Sequence, residues 1–419
     1  MEIKEICRLI EEREEELFEL LSSLVKINSE NFGTYGNEKE CASYINELCL
    51  NLGLESEIYT PLAIEGMREH PDYLPGRKLE ERYNVSARWK GRENQDELML
   101  MAHLDTVKIG DEANWKRNPL SGEICDGKIF GRGACDDKYA IAAALFVIKL
   151  LKESGFVPKA NLIFSAYGDE EVGGSHGALA AVIRYPCNSI LNMDGREGEL
   201  WNCAAGGEET LYKFKTGEAV DNADRIARAM PIVMDEIEKF GDKRRKELEE
   251  NSFYKGTVIP KTALRFLEVR AGNDGVALGT GEIKICYYTD KTKDEIYKEL
   301  ADVEEAINRR LAPLGMTGEG FVPYTRFFRY GFSENENKDI ETLIEAAQEA
   351  TGALPHVCGS CMSDLSVILK YGSEKAFAYG TGRHFNADGG AHQINEYIFC
   401  DKLLEYTKNI AGYVIKMLR

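Results

Sequence analysis

The 419-residue chain has few of the features that mark several large classes of protein. No apolar run reaches the roughly 18 residues needed to cross a bilayer, so we expect no membrane partner. Its 11 cysteines are odd in number and irregularly spaced, which argues against a secreted disulfide scaffold. Lys and Arg number 52 against 71 Asp and Glu, a net charge of −19. Since phosphate contacts need clustered cations, we expect no nucleic-acid partner.

The N-terminus lacks the pattern of a signal peptide. Apolar side chains recur at helical spacing through residues 1–25, among many acidic ones, which predicts one amphipathic helix. A signal peptide would be basic and then continuously apolar. We therefore expect a cytoplasmic protein.

Helices and strands alternate through most of the chain. The pattern predicts strands at 84–89, 97–102, 159–167, 189–193 and 375–379, and helices at 41–52, 137–153, 175–182, 337–351, 363–370 and 400–417. This alternation is typical of an α/β sheet with helices on both faces, an α/β/α layering.

The pattern changes in the middle of the chain. A long charged helical stretch at 221–250, which Phe240-Gly-Asp242 could break, precedes strands at 261–269 and 282–288 and a helix at 293–310. These elements predict a smaller α+β unit. Because candidate site residues lie on both sides of it, the unit must be an insertion. The predicted divisions are 1–204, 205–322 and 323–419.

Histidine is scarce, with six residues, but two of them belong to an ordered set with carboxylates. Imidazoles and carboxylates spread over five segments are the donors that a two-metal hydrolytic site needs. Most of them follow predicted strands, and ligands collect at the carboxyl ends of strands in such sheets. The set is His103, Asp105, Asp136, Glu170, Glu171, Asp194 and His392.

Local spacing suggests individual roles. His103 and Asp105 lie two apart at a strand end, so both side chains point to one face. His103 is then a metal ligand that Asp105 orients, although a buried histidine with a local salt bridge would show the same spacing. Asp136 follows Gly131-Arg-Gly133, whose glycines allow a tight turn. Asp136 or Asp137 could equally cap the following helix. Both roles can hold, with one Asp bridging metals while the other caps the helix.

Glu170 and Glu171 are adjacent, so their side chains diverge and can have different roles. One can bind a metal while the other acts as general base on a metal-held water; a solvated acidic turn is the alternative. Asp194 follows a strand and precedes Gly195. His392 lies in a glycine-rich loop that also contains His384, which could face a substrate.

Together these motifs resemble the acetylornithine deacetylase, succinyl-diaminopimelate desuccinylase and glutamate carboxypeptidase family of dizinc metallohydrolases. The resemblance extends over nearly the whole chain. The matching elements are Arg82-Tyr-Asn-Val85, His103-Leu-Asp-Thr-Val107, Trp115 with Pro119-Leu120, Asp126-Gly127 with Gly131-Arg-Gly-Ala134, Asp136-Asp-Lys138, Asp169-Glu-Glu-Val-Gly-Gly174, Asp194-Gly195, and His392 with Asn395-Glu396.

The resemblance implies a fold, a metal centre and a set of roles. The implied ligands of two zinc ions, for which cobalt or manganese could substitute, are Asp136 as the bridge, His103 and Asp194 on one ion, and Glu171 and His392 on the other. Glu170 would be the general base and Asp105 the support of His103. Similar enzymes have a mixed-sheet α/β/α catalytic domain and a smaller inserted α+β lid, and the lid often forms a homodimer.

The implied activity is metal-dependent amide hydrolysis. A metal-held water would lose a proton to Glu170, and the hydroxide would attack the carbonyl of an N-acyl amino acid or similar small amide. A dipeptidase or carboxypeptidase with the same chemistry, acting on a short peptide, is the alternative. A non-catalytic metal-binding relative is a further alternative, although holding metal would not require Glu170.

The chain departs from the family in the lid. Similar enzymes usually carry a lid histidine that stabilises the tetrahedral intermediate and a lid arginine that holds a substrate carboxylate. Residues 205–322 contain no histidine, and the strand from Ile283 to Tyr288 contains no arginine. Either another lid group substitutes, or the substrate is unusual, or the activity is weak. The candidate replacements are Lys213, Lys215, Arg265, Arg270 and Lys284.

Overall fold

The structure, a computed structural model, describes residues 1–217, 222–255, 257–272, 279–334 and 336–419. The α-helices of these residues are α1 Ile3–Glu12, α2 Glu14–Val25, α3 Glu38–Asn51, α4 Lys138–Glu153, α5 His176–Arg184, α6 Asn222–Glu250, α7 Lys293–Leu311, α8 Lys338–Thr351, α9 Leu365–Tyr371 and α10 Cys400–Leu418. The strands are β1 Glu55–Tyr59, β2 Asn84–Trp89, β3 Asp96–His103, β4 Ile124–Cys125, β5 Lys128–Phe130, β6 Asn161–Tyr167, β7 Ser189–Asn192, β8 Glu199–Ala204, β9 Gly206–Thr216, β10 Leu264–Gly272, β11 Thr280–Thr289, β12 Met316–Pro323, β13 Gly331–Phe332, β14 His356–Gly359, β15 Phe377–Tyr379 and β16 Tyr397–Phe399. Within these ranges, no helix combines the length and the apolar character that a membrane crossing requires.

The chain divides into two compact units. The larger comprises Met1–Cys203, Phe332–Ser360 and Val367–Arg419, and the smaller comprises Ala204–Gly331 and Cys361–Ser366. The smaller unit thus continues past residue 322, where the sequence analysis ends the insertion.

A mixed sheet forms the centre of the larger unit, with the strand order β1-β2-β6-β3-β7-β15-β8-β13 and β14 beside β8. The four neighbouring strands β6, β3, β7 and β15 run parallel to one another. Strands β1 and β2 join their neighbours antiparallel, and β8 pairs antiparallel with β15 but parallel with β14. Every residue of β3 from Leu98 to His103 is buried, so side chains on both faces of this strand are covered. The predicted mixed α/β fold is confirmed.

The N-terminal segment forms two helices, so the prediction of one helix over residues 1–25 is wrong. The backbone leaves the helical region at Arg13, with φ −126° and ψ 26°. The Arg13 guanidinium donates to Glu16 at 2.6 and 2.7 Å and also contacts Glu153 of α4. Helix α1 packs mainly against α10, and α2 packs mainly against α4; the change of direction at Arg13 allows both contacts.

The smaller unit is an antiparallel sheet, in the order β10-β11-β9-β12, that packs against α6 and α7. Helix α6 continues through Phe240-Gly-Asp242, so the predicted break is wrong. A Cβ on Gly241 would lie 2.7 Å from Cβ of Leu264, so glycine here permits close packing of the helix. Asp221, where the sequence analysis begins this helix, lies outside the described residues.

One buried carboxyl group in the smaller unit has an unusual pKa. Glu208 on β9 is 1% exposed and accepts hydrogen bonds from the hydroxyls of Tyr287, at 2.8 Å, and Tyr297, at 3.0 Å. Burial raises the pKa of Glu208 from 4.5 to about 7, although the two hydroxyls oppose the shift. The folded unit therefore favours the neutral acid.

This pKa predicts a pH-dependent stability. The folded chain binds one more proton than the unfolded chain between pH 4.5 and about 7, so the free energy of unfolding falls as pH rises through that window. Glu208→Gln removes this dependence. Between pH 5 and pH 8, we expect the free energy of unfolding of the variant to rise by roughly 3 kcal/mol relative to that of the wild type, at about 1.4 kcal/mol per pKa unit. Urea denaturation at both pH values measures the difference.

A matched control is Glu282→Gln, which removes a carboxylate from the neighbouring strand β11. Glu282 is 31% exposed and pairs with Lys213 at 3.2 Å, so we expect its loss to change the free energy of unfolding by at most about 1 kcal/mol. If Glu208→Gln and wild-type stabilities differ equally at both pH values, the raised pKa of Glu208 is wrong.

Candidate metal centre

The candidate residues collect at one edge of the large sheet. His103 is the last residue of β3, Glu170 and Glu171 follow β6, and Asp194 follows β7. The loop that contains His392 follows β15. Because β6, β3, β7 and β15 are parallel neighbours, their carboxyl ends lie side by side. All of these residues belong to the larger unit.

A turn before α4 presents Asp136 to the same edge. Gly131 and Gly133 have φ values of 137° and 85°, which favour glycine. A Cβ on Gly133 would also lie 2.8 Å from Cγ2 of Thr106. The tight turn predicted from the two glycines is confirmed. The Asp136–Asp137 peptide bond that follows is cis.

The two carboxylate oxygens of Asp136 face different histidines. Oδ1 lies 3.1 Å from Nε2 of His103, and Oδ2 lies 3.2 Å from Nε2 of His392. His392 Nε2 also lies 2.7 Å from Oε2 of Glu171. One ligand atom from each of His103, Asp136 and Glu171 falls within 4.8 Å of the others. The carboxylate of Asp136 therefore lies between the two imidazoles.

Asp194 lies beside this cluster. No hydrogen bond or ion pair of its side chain to the other four candidate ligands is present among the described contacts. Burial, followed by the negative charge of Asp136, raises the pKa of Asp194 to about 7. The charges of His103 and Arg196 oppose that shift, so both cations act on this carboxyl group.

The electrostatic field of the cluster favours cations. Burial opposes the charge on His103, but the hydrogen bond with Asp136 and the charge of Glu170 raise its pKa well above the ordinary value. Burial likewise opposes the charge on His392, and Glu171 and Asp136 raise its pKa. Three carboxylates and two imidazoles are donors that suit zinc, cobalt or manganese, so the residues fit divalent metal ions.

Asp105 holds the turn that carries the two glutamates. Its carboxylate accepts hydrogen bonds from the main-chain N–H groups of Glu170, at 3.0 Å, and Glu171, at 3.1 Å, and from Nδ2 of Asn31 at 2.7 Å. Nδ1 of His103 instead lies 2.9 Å from the main-chain oxygen of Asp105 and 3.7 Å from its carboxylate. Asp105 therefore supports the His103 ring through its carbonyl and the Glu170–Glu171 turn through its carboxylate.

Asp137 has a different role from the one its position suggests. It occupies the N-cap of α4, but its side chain makes no capping hydrogen bond. Oδ2 of Asp137 instead accepts a hydrogen bond from the main-chain N–H of His103 at 3.3 Å. The alternative that Asp137 caps the helix through its side chain is wrong, because its carboxylate turns towards the end of β3.

The loop after β15 holds His392 in a conformation that few residues other than glycine adopt. His392 has φ +62°, in the left-handed region. Its ring packs on Phe385, with centroids 4.8 Å apart. His384 is exposed, and its Nδ1 accepts a hydrogen bond from the N–H of Asn386 at 3.1 Å.

A buried network of charged and polar side chains near the Glu170–Glu171 turn was not predicted from the sequence. Arg82, which is fully buried, donates to Oδ1 of Asn31 at 2.8 Å, lies 3.2 Å from Oδ1 of Asp169 and pairs with Glu38. Oδ2 of Asp169 lies 2.6 Å from Nδ1 of His176, which is also buried. Asn31 joins this network to Asp105. The only local signals were Arg82 before a buried strand and Asp169 before the two glutamates.

The five lid cations considered as replacements each have a partner in the smaller unit. Lys284 pairs with Glu209 at 2.7 Å and is the most buried of them, at 12% exposed. The other contacts are Lys213 with Glu282 at 3.2 Å, Arg270 with Glu268 at 2.5 Å, Arg265 with Cys286 at 3.4 Å, and Lys215 with Glu319.

Comparison with known proteins places the chain in a family. Residues 99–416 match peptidase family M20/M25/M40. An uncharacterized metallohydrolase of Methanocaldococcus jannaschii is 35% identical over 423 residues, which cover 93% of this chain and 97% of that protein. The N-formyl-4-amino-5-aminomethyl-2-methylpyrimidine deformylase of Bacillus subtilis is 27% identical over 458 residues, which cover 99% of this chain and 97% of the deformylase.

The fold is similar to that of solved enzymes. The structure of the di-peptidase Dug1p from Saccharomyces cerevisiae superposes with a TM-score of 0.72 at 15% identity, covering 99% of this chain and 98% of that one. This likeness supports the mixed α/β fold. The match over 99–416 confirms the family that the motifs predicted. The chain therefore belongs to peptidase family M20/M25/M40 and is, as predicted, a metal-dependent hydrolase of amide or peptide bonds.

Proposed function

We propose that the chain hydrolyses the amide bond of an N-acyl amino acid or a similar small amide. The observation that carries this proposal is Asp136, whose two oxygens each lie about one hydrogen-bond length from a different histidine. The similarity to a deformylase, which is named for an N-formyl compound, supports an acyl substrate. The likeness to a di-peptidase keeps peptide hydrolysis as the second candidate.

The proposed metal ligands are His103, Asp136, Glu171, Asp194 and His392, and the proposed metal is zinc, with cobalt or manganese as alternatives. Bound divalent ions would lower the pKa of a water molecule and polarise the substrate carbonyl. Glu170 accepts the proton of the attacking water and delivers it to the leaving amine nitrogen. Asp105 keeps Glu170 in place, because its carboxylate holds the main-chain N–H of that residue.

We also propose that the chain forms a homodimer through the smaller unit. Strand β10 lies at one edge of its sheet, where Leu267 and Val269 are 38% and 49% exposed. An exposed apolar edge strand is a ready surface for pairing with a second copy. A mass near 47.0 kDa in light scattering would contradict the dimer. The cytoplasmic location stays a prediction from the sequence.

A substrate panel tests the proposed activity. Protein loaded with zinc, cobalt or manganese is incubated with N-acetyl, N-formyl and N-succinyl amino acids and with dipeptides, and amine release is measured. Metal-free protein is the blank. We expect metal-dependent release from at least one N-acyl class. Release from dipeptides alone would favour the peptidase, and no release by metal-loaded protein would indicate a non-catalytic relative.

A further inference from the structure

The Arg196 side chain projects from a tightly packed part of the main chain beside the candidate metal centre. It follows the proposed ligand Asp194 by two residues and forms a parallel bridge with Gly382. The N–H of Gly382 donates to the oxygen of Gly195 at 2.8 Å, and the N–H of Glu197 donates to the oxygen of Gly382 at 3.0 Å. The two backbones touch so closely that a Cβ on Gly195 would lie 2.7 Å from the nitrogen of Gly380. These contacts therefore hold the backbone of Arg196 in place.

Two aromatic rings lie close to the Arg196 guanidinium. Its central carbon is 5.4 Å from the ring centroid of Phe385 and 5.9 Å from that of Trp201. Phe385 in turn packs on the proposed ligand His392, with centroids 4.8 Å apart. The distance from the guanidinium carbon to the centroid of the His392 ring is therefore at most the sum of these two distances, 5.4 Å and 4.8 Å. Aromatic faces hold a cation without neutralising it.

Arg196 has no anionic partner among the described residues. No carboxylate lies within ion-pair distance, and its buried Nε has no hydrogen-bond partner. By contrast, Lys402 on α10 pairs with Glu197 at 2.9 Å, and Arg132 pairs with Glu396. A buried donor without a partner is costly unless a ligand supplies one. The planar guanidinium matches a carboxylate through two parallel hydrogen bonds.

We propose that Arg196 binds a carboxylate of the substrate, which makes the substrate an N-acyl amino acid with a free carboxylate group. This inference rests on the proposed amidohydrolase function and names its substrate class. The carboxylate could be the α-carboxylate of the amino acid or the distal carboxylate of a dicarboxylic acyl group. Both have the same chemistry. The five lid cations, in contrast, already have partners.

Matched substrates test the role of Arg196. The first pair is N-acetylmethionine and N-acetylmethioninamide, which differ in the α-carboxylate. The second pair is N-succinylmethionine and N-butyrylmethionine, which differ in the acyl carboxylate. Arg196→Met should lower kcat/KM for the carboxylate member of one pair by about 10- to 100-fold, as expected for a lost hydrogen bond to a charged group. The neutral member should change little, and the pair that responds identifies which carboxylate binds.

Two further variants and a binding measurement separate the possible outcomes. Arg196→Lys should recover part of the loss, and Arg383→Met is the control, because Arg383 packs on Tyr397 at 4.0 Å and donates to the oxygen of Asp388. Calorimetric binding of the four compounds to metal-loaded Glu170→Gln protein tests Arg196 without turnover. There, Arg196→Met should weaken binding of the carboxylate compound alone.

Each result has a separate meaning for the two proposals. Equal losses for charged and neutral compounds, or a loss of bound metal in Arg196→Met, would overturn the carboxylate role while the proposed function stands. Binding of none of the four compounds would also overturn it. Carboxylate-selective binding without hydrolysis by the wild type would support Arg196 and contradict the amidohydrolase.

Discussion

Glu170→Gln should reduce kcat by about 10²- to 10⁴-fold, the usual contribution of a general base, while metal content stays unchanged. Glutamine has nearly the same shape as glutamate but cannot take up a proton at neutral pH. The main-chain N–H of residue 170 would keep its hydrogen bond to Asp105, so the turn should hold its shape. The measurement is kcat on the best substrate of the panel, with metal content determined by mass spectrometry on the same sample.

The neighbouring Glu171→Gln is the matched control. Its carboxylate contacts Nε2 of His392 at 2.7 Å and accepts a hydrogen bond from the N–H of Val107 at 3.0 Å, as expected for a ligand position. We expect this variant to lose bound metal as well as activity. If Glu170→Gln keeps activity within about tenfold of the wild type, the general-base assignment is wrong. If it loses metal, Glu170 is a ligand.

Arg82→Met should lower the free energy of unfolding by about 3–5 kcal/mol, the usual cost of removing one partner from a buried ion pair. Arg82, Glu38 and Asp169 are all fully buried, and Arg82 contacts both carboxylates. Its loss would remove the cation that contacts both buried carboxylates. A typical domain is stable by only about 5–15 kcal/mol, so the loss should be evident in urea denaturation.

Arg88→Met on β2, the strand that follows Arg82, is the control for Arg82. Arg88 pairs with Asp96 at 2.7 Å, but the two side chains are 30% and 18% exposed. Such a partly solvated pair usually contributes up to about 1 kcal/mol. Equal losses of stability in the two variants would contradict the special role of the buried network.

The site could be predicted where its residues end continuous apolar segments. The buried segment of β3 leads directly to His103, and β6 leads to Glu170 and Glu171, so strand and ligand appear together in the sequence. Asn31 and Arg82 carry no such signal. They reach Asp105 only through the fold, and no local pattern connects positions so far apart.

The missed elements of the fold have similar physical causes. Strand β9 alternates buried Tyr212 and Phe214 with the more exposed Lys213 and Lys215, a half-buried pattern that its charges obscured. Gly241 suggested a helix break because its packing against Leu264 cannot be seen in the sequence. Arg196 stands next to a matching motif, but one of its two aromatic neighbours, Phe385, comes from a distant segment.

The number of metal ions per chain tests the central claim most directly. Metal-free protein is dialysed against zinc, washed and analysed by mass spectrometry, and the ions are located by anomalous X-ray diffraction. We predict two ions per chain with Asp136 between them, and a lower occupancy in His392→Ala. A single ion, no ion, or unchanged occupancy in His392→Ala would contradict the proposed centre.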